Sequence, residues 1–330
     1  MPKPKRIQYT PDPELLARFP KVSGNTINGL GEKTARRASP FFWHPPDKQT
    51  HGDLSAYVLA GFAAKRPGGS EWGDVGGRGP DELPAVCDEK TLGSSQDYTT
   101  RVQEYALAHE ADLVGIAELS EDWVYDGYRI DEPYVVMLGI AQDYEMMKHA
   151  PSSADNLYAN TEVRKQYNRG ARAAKALAAF IRSQGFQAIP QFGPSADALN
   201  MIPAALAAGL GELGKHGSII NRTLGSNFRL AAVTTDMPLV CNQPDVFGAD
   251  EFCTNCQICT DACPPDAIFT TKQTVRGALK WYVDFDKCLP FFAESLNCAL
   301  CTTICPWSRP GVALSLAQKL ERRDARKQKQ

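Results

Sequence analysis

Neither charge dominates this sequence. Its 36 Lys and Arg stand against 38 Asp and Glu, a formal net charge of -2 over 330 residues, so no chain-wide basic field draws it to nucleic acid. Long apolar runs are missing too. Stretches such as AALAAGLGELG (204–214) are too short and too glycine-rich to cross a bilayer, and the expectation is a soluble chain. An export signal is not evident either. Arg36 and Arg37 form the twin arginine that opens such signals, but ASPFFWHPPDKQ follows, with prolines where an apolar region of roughly 7–15 residues should begin. The pair reads as a surface feature, and the expected location is the cytoplasm unless a signal has been removed.

Cysteine, by contrast, is concentrated. Eight of the ten fall between Cys253 and Cys305. In EFCTNCQICTDACPPDAI (251–268), Cys253, Cys256, Cys259 and Cys263 stand in C-x2-C-x2-C-x3-C-P order, and Cys288, Cys298, Cys301 and Cys305 follow. A chain with 43% apolar residues buries a core without covalent staples, so metal ligation is the better reading than disulfides. Cys87 and Cys241 lie outside the pattern and read as ordinary thiols. In two-cluster ferredoxins the cysteine before proline turns away to serve the other cluster. One cluster then takes Cys253, Cys256, Cys259 and Cys305, and the other takes Cys288, Cys298, Cys301 and Cys263. Zinc rarely uses interlocked quartets ending in C-P, so two [4Fe–4S] clusters are expected.

Clusters carry electrons but do not choose a reaction, and some 240 residues precede them. Residues 1–95 are rich in Pro and Gly (RPGGSEWGDVGGRGPDELP) and read as an irregular wrapping segment. Residues 96–245 alternate helical and strand-like patterns. QDYTTRVQEYALAHEA has helical spacing, ADLVGIAEL, PYVVMLGIA, FQAIP and RLAAVTTD read as strands, and NRGARAAKALAAFIRSQ (168–184) reads as an alanine-rich helix closed by Gly185. SADALNMIPAALAAG reads as a helix entered or interrupted at Pro203. This alternation argues for an α/β core. Residues 246–312 hold the cysteine module, and 313–330 a charged tail that reads as a solvated, fraying helix.

GLGELG (209–214) fits G-x-G-x-x-G, but it follows a helical run where a dinucleotide loop leaves a strand. Its glycines still permit close approach of backbone to a large ligand. The order of motifs is more specific. FIRSQGF, AAGLGELGKHGSII, GSNFRLAAVTTDMPL and the double cysteine module ending CTTICPWS together resemble the corrinoid-dependent reductive dehalogenases over roughly residues 95–310. The resemblance implies a nitroreductase-like α/β core that binds a corrinoid, followed by a ferredoxin-like domain with two [4Fe–4S] clusters. Asn200, Gly209, Gly211, Gly214, Lys215, His216, Gly217 and Ser218 are then the candidate corrinoid contacts.

The same resemblance implies the chemistry. Reduced cobalt, Co(I), would cleave a carbon–halogen bond of an organohalide with electrons from the clusters. Tyr167, in RKQYNRGA, would donate the proton, paired with Arg229 in GSNFRLA. A free tyrosine ionises near 10, and a cation within ~4–6 Å favours its anion. None of His44, His51, His109, His149 and His216 lies in an Asp-x-His-x-x-Gly element, which fits a corrinoid without a histidine lower ligand. The aromatic residues Phe41, Phe42, Trp43, Trp123, Tyr125, Phe291, Phe292 and Trp307 are candidates for a substrate pocket. The implied partners are a small organohalide and an external low-potential donor, a ferredoxin or flavoprotein, with a membrane anchor in exported relatives. The alternatives are an epoxyqueuosine reductase, which shares the layout but uses a carboxylate acid on a tRNA substrate, and a non-catalytic electron or corrinoid carrier.

Overall fold

The computed structural model describes residues 6–40, 43–49, 52–65, 75–194 and 198–327. Four of the strand-like runs become one antiparallel sheet in the order β1 (Leu113–Glu118), β2 (Tyr134–Ala141), β6 (Phe228–Thr235), β3 (Ala188–Phe192). Strand β2 is central, with every residue from Val135 to Ile140 buried, so both faces must be covered. The pleat divides its side chains. Val136, Leu138 and Ile140 pack with Ala231 and Val233 against α2 (Ser95–Ala108) and α3 (Tyr158–Ser183). Val135, Met137 and Ala232 pack against Ala204, Ala205 and Ala208 of α4 (Met201–Ala207) and the residue after it. Alanines at 171, 174 and 178 keep α3 close to the sheet, where all three are fully buried.

Three expectations about the elements change. Helix α3 begins at Tyr158, ten residues before the alanine-rich run, because its first turns are polar but face inward. The Glu162 carboxylate accepts from the Asp143 amide and from Gln166, each at 2.7 Å, and Asn160 donates to the Leu296 carbonyl at 2.7 Å. Helix α4 starts only at Met201, so Pro203 sits in its first turn, where a missing N–H costs nothing. The segment before residue 95 is not all irregular, since α1 (Leu54–Lys65) forms in it. Its Leu54, Tyr57 and Val58 pack on Leu289 and Ala293 of α7 (Phe285–Glu294). Around this helix the segment is tied to the cysteine module by Tyr9–Glu294, Asn25–Asp284 and Ser23–Asp286 hydrogen bonds of 2.9, 2.8 and 2.6 Å.

The twin arginine is built into this packing. Arg36 grips Glu32 through Nε at 2.8 Å and donates to the Ile27 carbonyl, while Arg37 donates to the carbonyls of Val124, Tyr125 and Tyr128. The cysteine module rests on α5 (Ala249–Asn255), α6 (Ile258–Ala262) and α7. The charged tail is also ordered differently from expectation. It forms α8 (Val312–Lys327), whose Ala313, Leu316, Ala317 and Leu320 dock on Cys253, Cys305 and Trp307. Among the described residues no helix is long and apolar enough to cross a membrane.

Candidate functional site

The eight cysteines of the module are all free thiols, and Cys253, Cys259, Cys263 and Cys305 are buried. Desolvation pushes Cys253 up to about 11 and Cys259 and Cys298 up to about 12. Sulfurs packed this densely, with no disulfide between them, are a donor set that as thiolates suits a soft metal. Their mutual repulsion sorts them. Cys305, raised first by burial, also feels Cys253, Cys259 and Cys256. Cys288 is raised by burial and then by Cys298 and Cys263, and Cys298 likewise feels Cys263. Cys301 feels Cys298, Cys288 and Cys263, and also Cys259 across the divide. In the packing, Cys253 lies with Cys305, and Cys259 lies with Cys263 beside Cys288 and Cys301, so Cys259 stands where the two sets of sulfurs meet. Among the described residues no group of three or more His, Cys, Asp or Glu closes to the spacing of a single metal ion. A cubane, which spreads its thiolates over four irons, suits the quartets better than zinc does.

One quartet forms a wall. Cys263, Cys288, Cys298 and Cys301 line a cavity of about 490 Å³ together with Tyr167 and Arg229. The inward polar face of α3 supplies the other side, Asn160, Val163, Arg164 and Tyr167, at i, i+3, i+4 and i+7. Leu59 and Phe62 of α1 close it, which explains why that helix is apolar beyond the stripe that packs on α7. Arg229 projects from the face of β6 that α3 covers, and its Cζ lies 5.4 Å from the centroid of the Tyr167 ring. Its Nε is buried without a hydrogen-bond acceptor among the described residues, a donor left for something in the cavity. On the other side the Tyr167 ring is backed by Gly193, where a Cβ would stand 2.4 Å from Cε1.

A second cavity, of about 720 Å³, shares Cys288, Cys301 and Val283 with the first. Asn200, Trp123, Arg276 and Lys280 line it. The turn after the glycine loop lies between the two, with His216 and Gly217 on the second cavity and Ser218 on the first. The two spaces and the turn between them form a cradle for one large, flat ligand reaching to the Cys263 quartet. His216 is no free ligand. Its Nδ1 accepts from the Ser218 amide at 3.2 Å, so Nε2 carries the proton and donates to Ser226 Oγ at 3.0 Å. Burial holds the ring neutral, down at about 4. The residues thus fit a corrinoid whose cobalt takes no imidazole from His216.

Half of the expected loop contacts lie elsewhere. Gly209, Gly211, Gly214 and Lys215 line neither cavity. Cβ atoms at Gly209 and Gly211 would meet the carbonyls of Gln243 and Ile220 at 2.6 and 2.1 Å, and one at Gly214 would meet the His216 ring. These glycines let the β4 (Glu212–Leu213) and β5 (Ile219–Ile220) hairpin fold tightly. Lys215 turns the other way, donating to the Cys256 carbonyl at 2.8 Å. Gly211 has φ +138°, so Gly211→Ala is expected to cost about 1–3 kcal/mol in backbone strain, plus the clash. A lowered thermal midpoint of the purified variant would show it, and an unchanged midpoint would refute it.

Of the aromatic candidates, Trp43, Phe291 and Phe292 line the first cavity and Trp123 the second. Tyr125 instead packs edge-on to His44 at 4.6 Å, and Trp307 is core, between Phe247 and Phe252. Phe41, Phe42 and His51 lie outside the described residues. Asn160, Val163, Arg164, Leu59 and Phe62 were not among the expected site residues. The i, i+3, i+4, i+7 stripe ending on Tyr167 was the signal for the first three.

Residues 252–308 match the family of 4Fe-4S dicluster domains. The chain is 30% identical over 263 residues to the tetrachloroethene reductive dehalogenase of Sulfurospirillum multivorans, covering 66% of this chain and 51% of that one. It is 30% identical over 122 residues to the epoxyqueuosine reductase of Cyclobacterium marinum, covering 32% and 36%. Among solved structures it is similar to the catabolic reductive dehalogenase NpRdhA in complex with 3-bromo-4-hydroxybenzoic acid. The TM-score is 0.66 and the identity 24%, over 92% of this chain and 46% of that one. The fold is therefore that of the reductive dehalogenases, an α/β core followed by a dicluster domain. The chain spans about half the length of these two dehalogenases.

Proposed function

We propose that this chain is the corrinoid-binding and dicluster part of a reductive dehalogenase, and that it removes halide from a small organohalide. One observation carries the reading. Tyr167 and Arg229 meet over 5.4 Å, in a cavity whose far wall is the Cys263 quartet. A proton donor, a cation and an electron source thus face one space.

The corrinoid, when bound, supplies cobalt chemistry able to break a carbon–halogen bond, with electrons from the clusters. The chain supplies the rest. Phe62, Phe291, Phe292 and Val163 give the cavity an apolar lining that excludes water. Tyr167 Oη holds the proton the carbon needs once halide leaves. The negative charge left on that side chain lies near the Arg229 guanidinium, whose Cζ stands 5.4 Å from the ring centroid. Arg229 Nε, without an acceptor among the described residues, is placed to orient the bound molecule.

The tRNA alternative calls for a carboxylate acid, and the described lining of the Tyr167 cavity contains none. A mere carrier would have no use for a tyrosine and an arginine converging there. The test is protein made anaerobically with corrinoid available, assayed with reduced methyl viologen on a panel of aryl and alkenyl halides. About one cobalt per chain and release of chloride or bromide are expected. Activity on epoxyqueuosine tRNA alone would move the function to the alternative, and full clusters without cobalt would remove both.

A further inference from the structure

The quartet of Cys253, Cys256, Cys259 and Cys305 lines neither the Tyr167 cavity nor the larger one beside it. It sits instead beneath α8, with Cys253 and Cys305 packed among Ala313, Ala317 and Trp307. That helix has two faces. Ala313, Leu316, Ala317 and Leu320 fall at i, i+3, i+4 and i+7 and point down onto the quartet. Lys319, Arg322, Arg323, Arg326 and Lys327 repeat the same spacing roughly a quarter-turn further round the helix and line a shallow depression on the surface. Lys319, Arg322, Arg326 and Lys327 are exposed. Two carboxylates beside it are engaged, Glu251 by Arg323 at 2.5 Å and Lys327 at 3.8 Å, and Glu321 by Arg222 at 2.6 Å.

A dense cationic stripe is unexpected on a chain whose net charge is -2. It also lies on the helix that covers Cys253 and Cys305 of the quartet turned away from the catalytic space. Resting on the dicluster reading above, we infer that the Lys319–Lys327 face of α8 is the docking surface for an acidic electron-donor protein of the ferredoxin type. One electron leaves the reduced donor's iron–sulfur centre and enters the cluster held by Cys253, Cys256, Cys259 and Cys305. No bond is made or broken and no proton moves. The electron passes on where Cys259 packs beside Cys301, towards the quartet that faces Tyr167. Charge complementarity here sets the rate of encounter and the orientation more than the depth of binding.

The test uses the anaerobic chain with its clusters and, as probe, a reduced acidic [2Fe–2S] ferredoxin, followed by stopped-flow bleaching of the clusters. A triple variant, Lys319→Glu, Arg322→Glu and Arg326→Glu, leaves the Glu251 pairs and the apolar face untouched. The wild-type second-order rate should fall as salt rises, and the variant should be slower by about tenfold or more at low salt. Calorimetric binding of oxidised ferredoxin should weaken in parallel. Reduced methyl viologen, which needs no docking surface, should bring both chains to the same extent of reduction. Equal ferredoxin rates in both chains would overturn the surface alone. Failure of either chain to be reduced by viologen would overturn the dicluster reading with it. Flotation of the wild type, but not the variant, with phosphatidylserine vesicles at about 0.15 M ionic strength, alongside equal ferredoxin rates, would assign the stripe to a lipid surface instead.

Discussion

Tyr167→Phe should slow halide release by roughly 10²–10⁴-fold, the usual cost of losing a positioned general acid. The geometry makes this a clean substitution. Gly193 backs the ring so closely that a Cβ there would stand 2.4 Å away, and the Arg229 guanidinium lies over it at 5.4 Å. A phenylalanine ring keeps both contacts and loses only Oη. Cobalt, iron and sulfide content and the thermal midpoint should therefore match the parent, while the rate on each halide falls. Arg229→Gln, which keeps a polar side chain of moderate length but removes the charge, should slow release too, with the clusters intact. A Phe variant that dehalogenates at the parent's rate would take Tyr167 out of the mechanism.

That pair shows what a sequence can and cannot carry. Tyr167 and Arg229 were legible because each lies in a distinctive local string, RKQYNRGA and GSNFRLA, whose order along the chain resembles one family. The strands were legible from alternation and β-branched content, and β1, β2 and β6 appear where those patterns stand. The surroundings were not. Asn160, Glu162 and Gln166 are polar, and polar residues on a helix ordinarily face water, so the first ten residues of α3 were hidden. Here they are buried because each finds a partner, Leu296 for Asn160 and Asp143 for Glu162. Helix α1 was hidden by the opposite fault. It is apolar on more than one side because one side meets α7 and another meets the cavity. The glycine loop was half legible. The spacing marks tight backbone, but only the fold separates Gly211, pressed on Ile220, from Gly217, which faces the larger cavity.

The fold also gives the chain a direction. The core places Tyr167 on one side of its cavity, and the module places four sulfurs on the other. The second quartet lies behind the first, under a helix, with its own lysine, Lys215, donating to the Cys256 carbonyl. Lys215 is 1% exposed, and it counters part of the rise at Cys253 and Cys259. A buried cation there favours added negative charge, which is what a reduced cluster brings.

Cys263→Ala tests that direction and should remove one cluster and spare the other. Two ligand schemes compete. In a sequential scheme Cys263 completes the cluster of Cys253, Cys256 and Cys259, its neighbours in the chain. In the interlocked scheme the proline after it turns it away. The structure favours the second. Cys263 lines the Tyr167 cavity with Cys288, Cys298 and Cys301. Iron and sulfide should fall from about eight to about four per chain. The paramagnetic signal left in the reduced Cys263→Ala protein should match that of Cys288→Ala and differ from that of Cys253→Ala. Halide release should stop, since the missing cluster is the one that faces Tyr167, while the outer cluster still bleaches with ferredoxin. A residual signal matching Cys253→Ala would restore the sequential scheme.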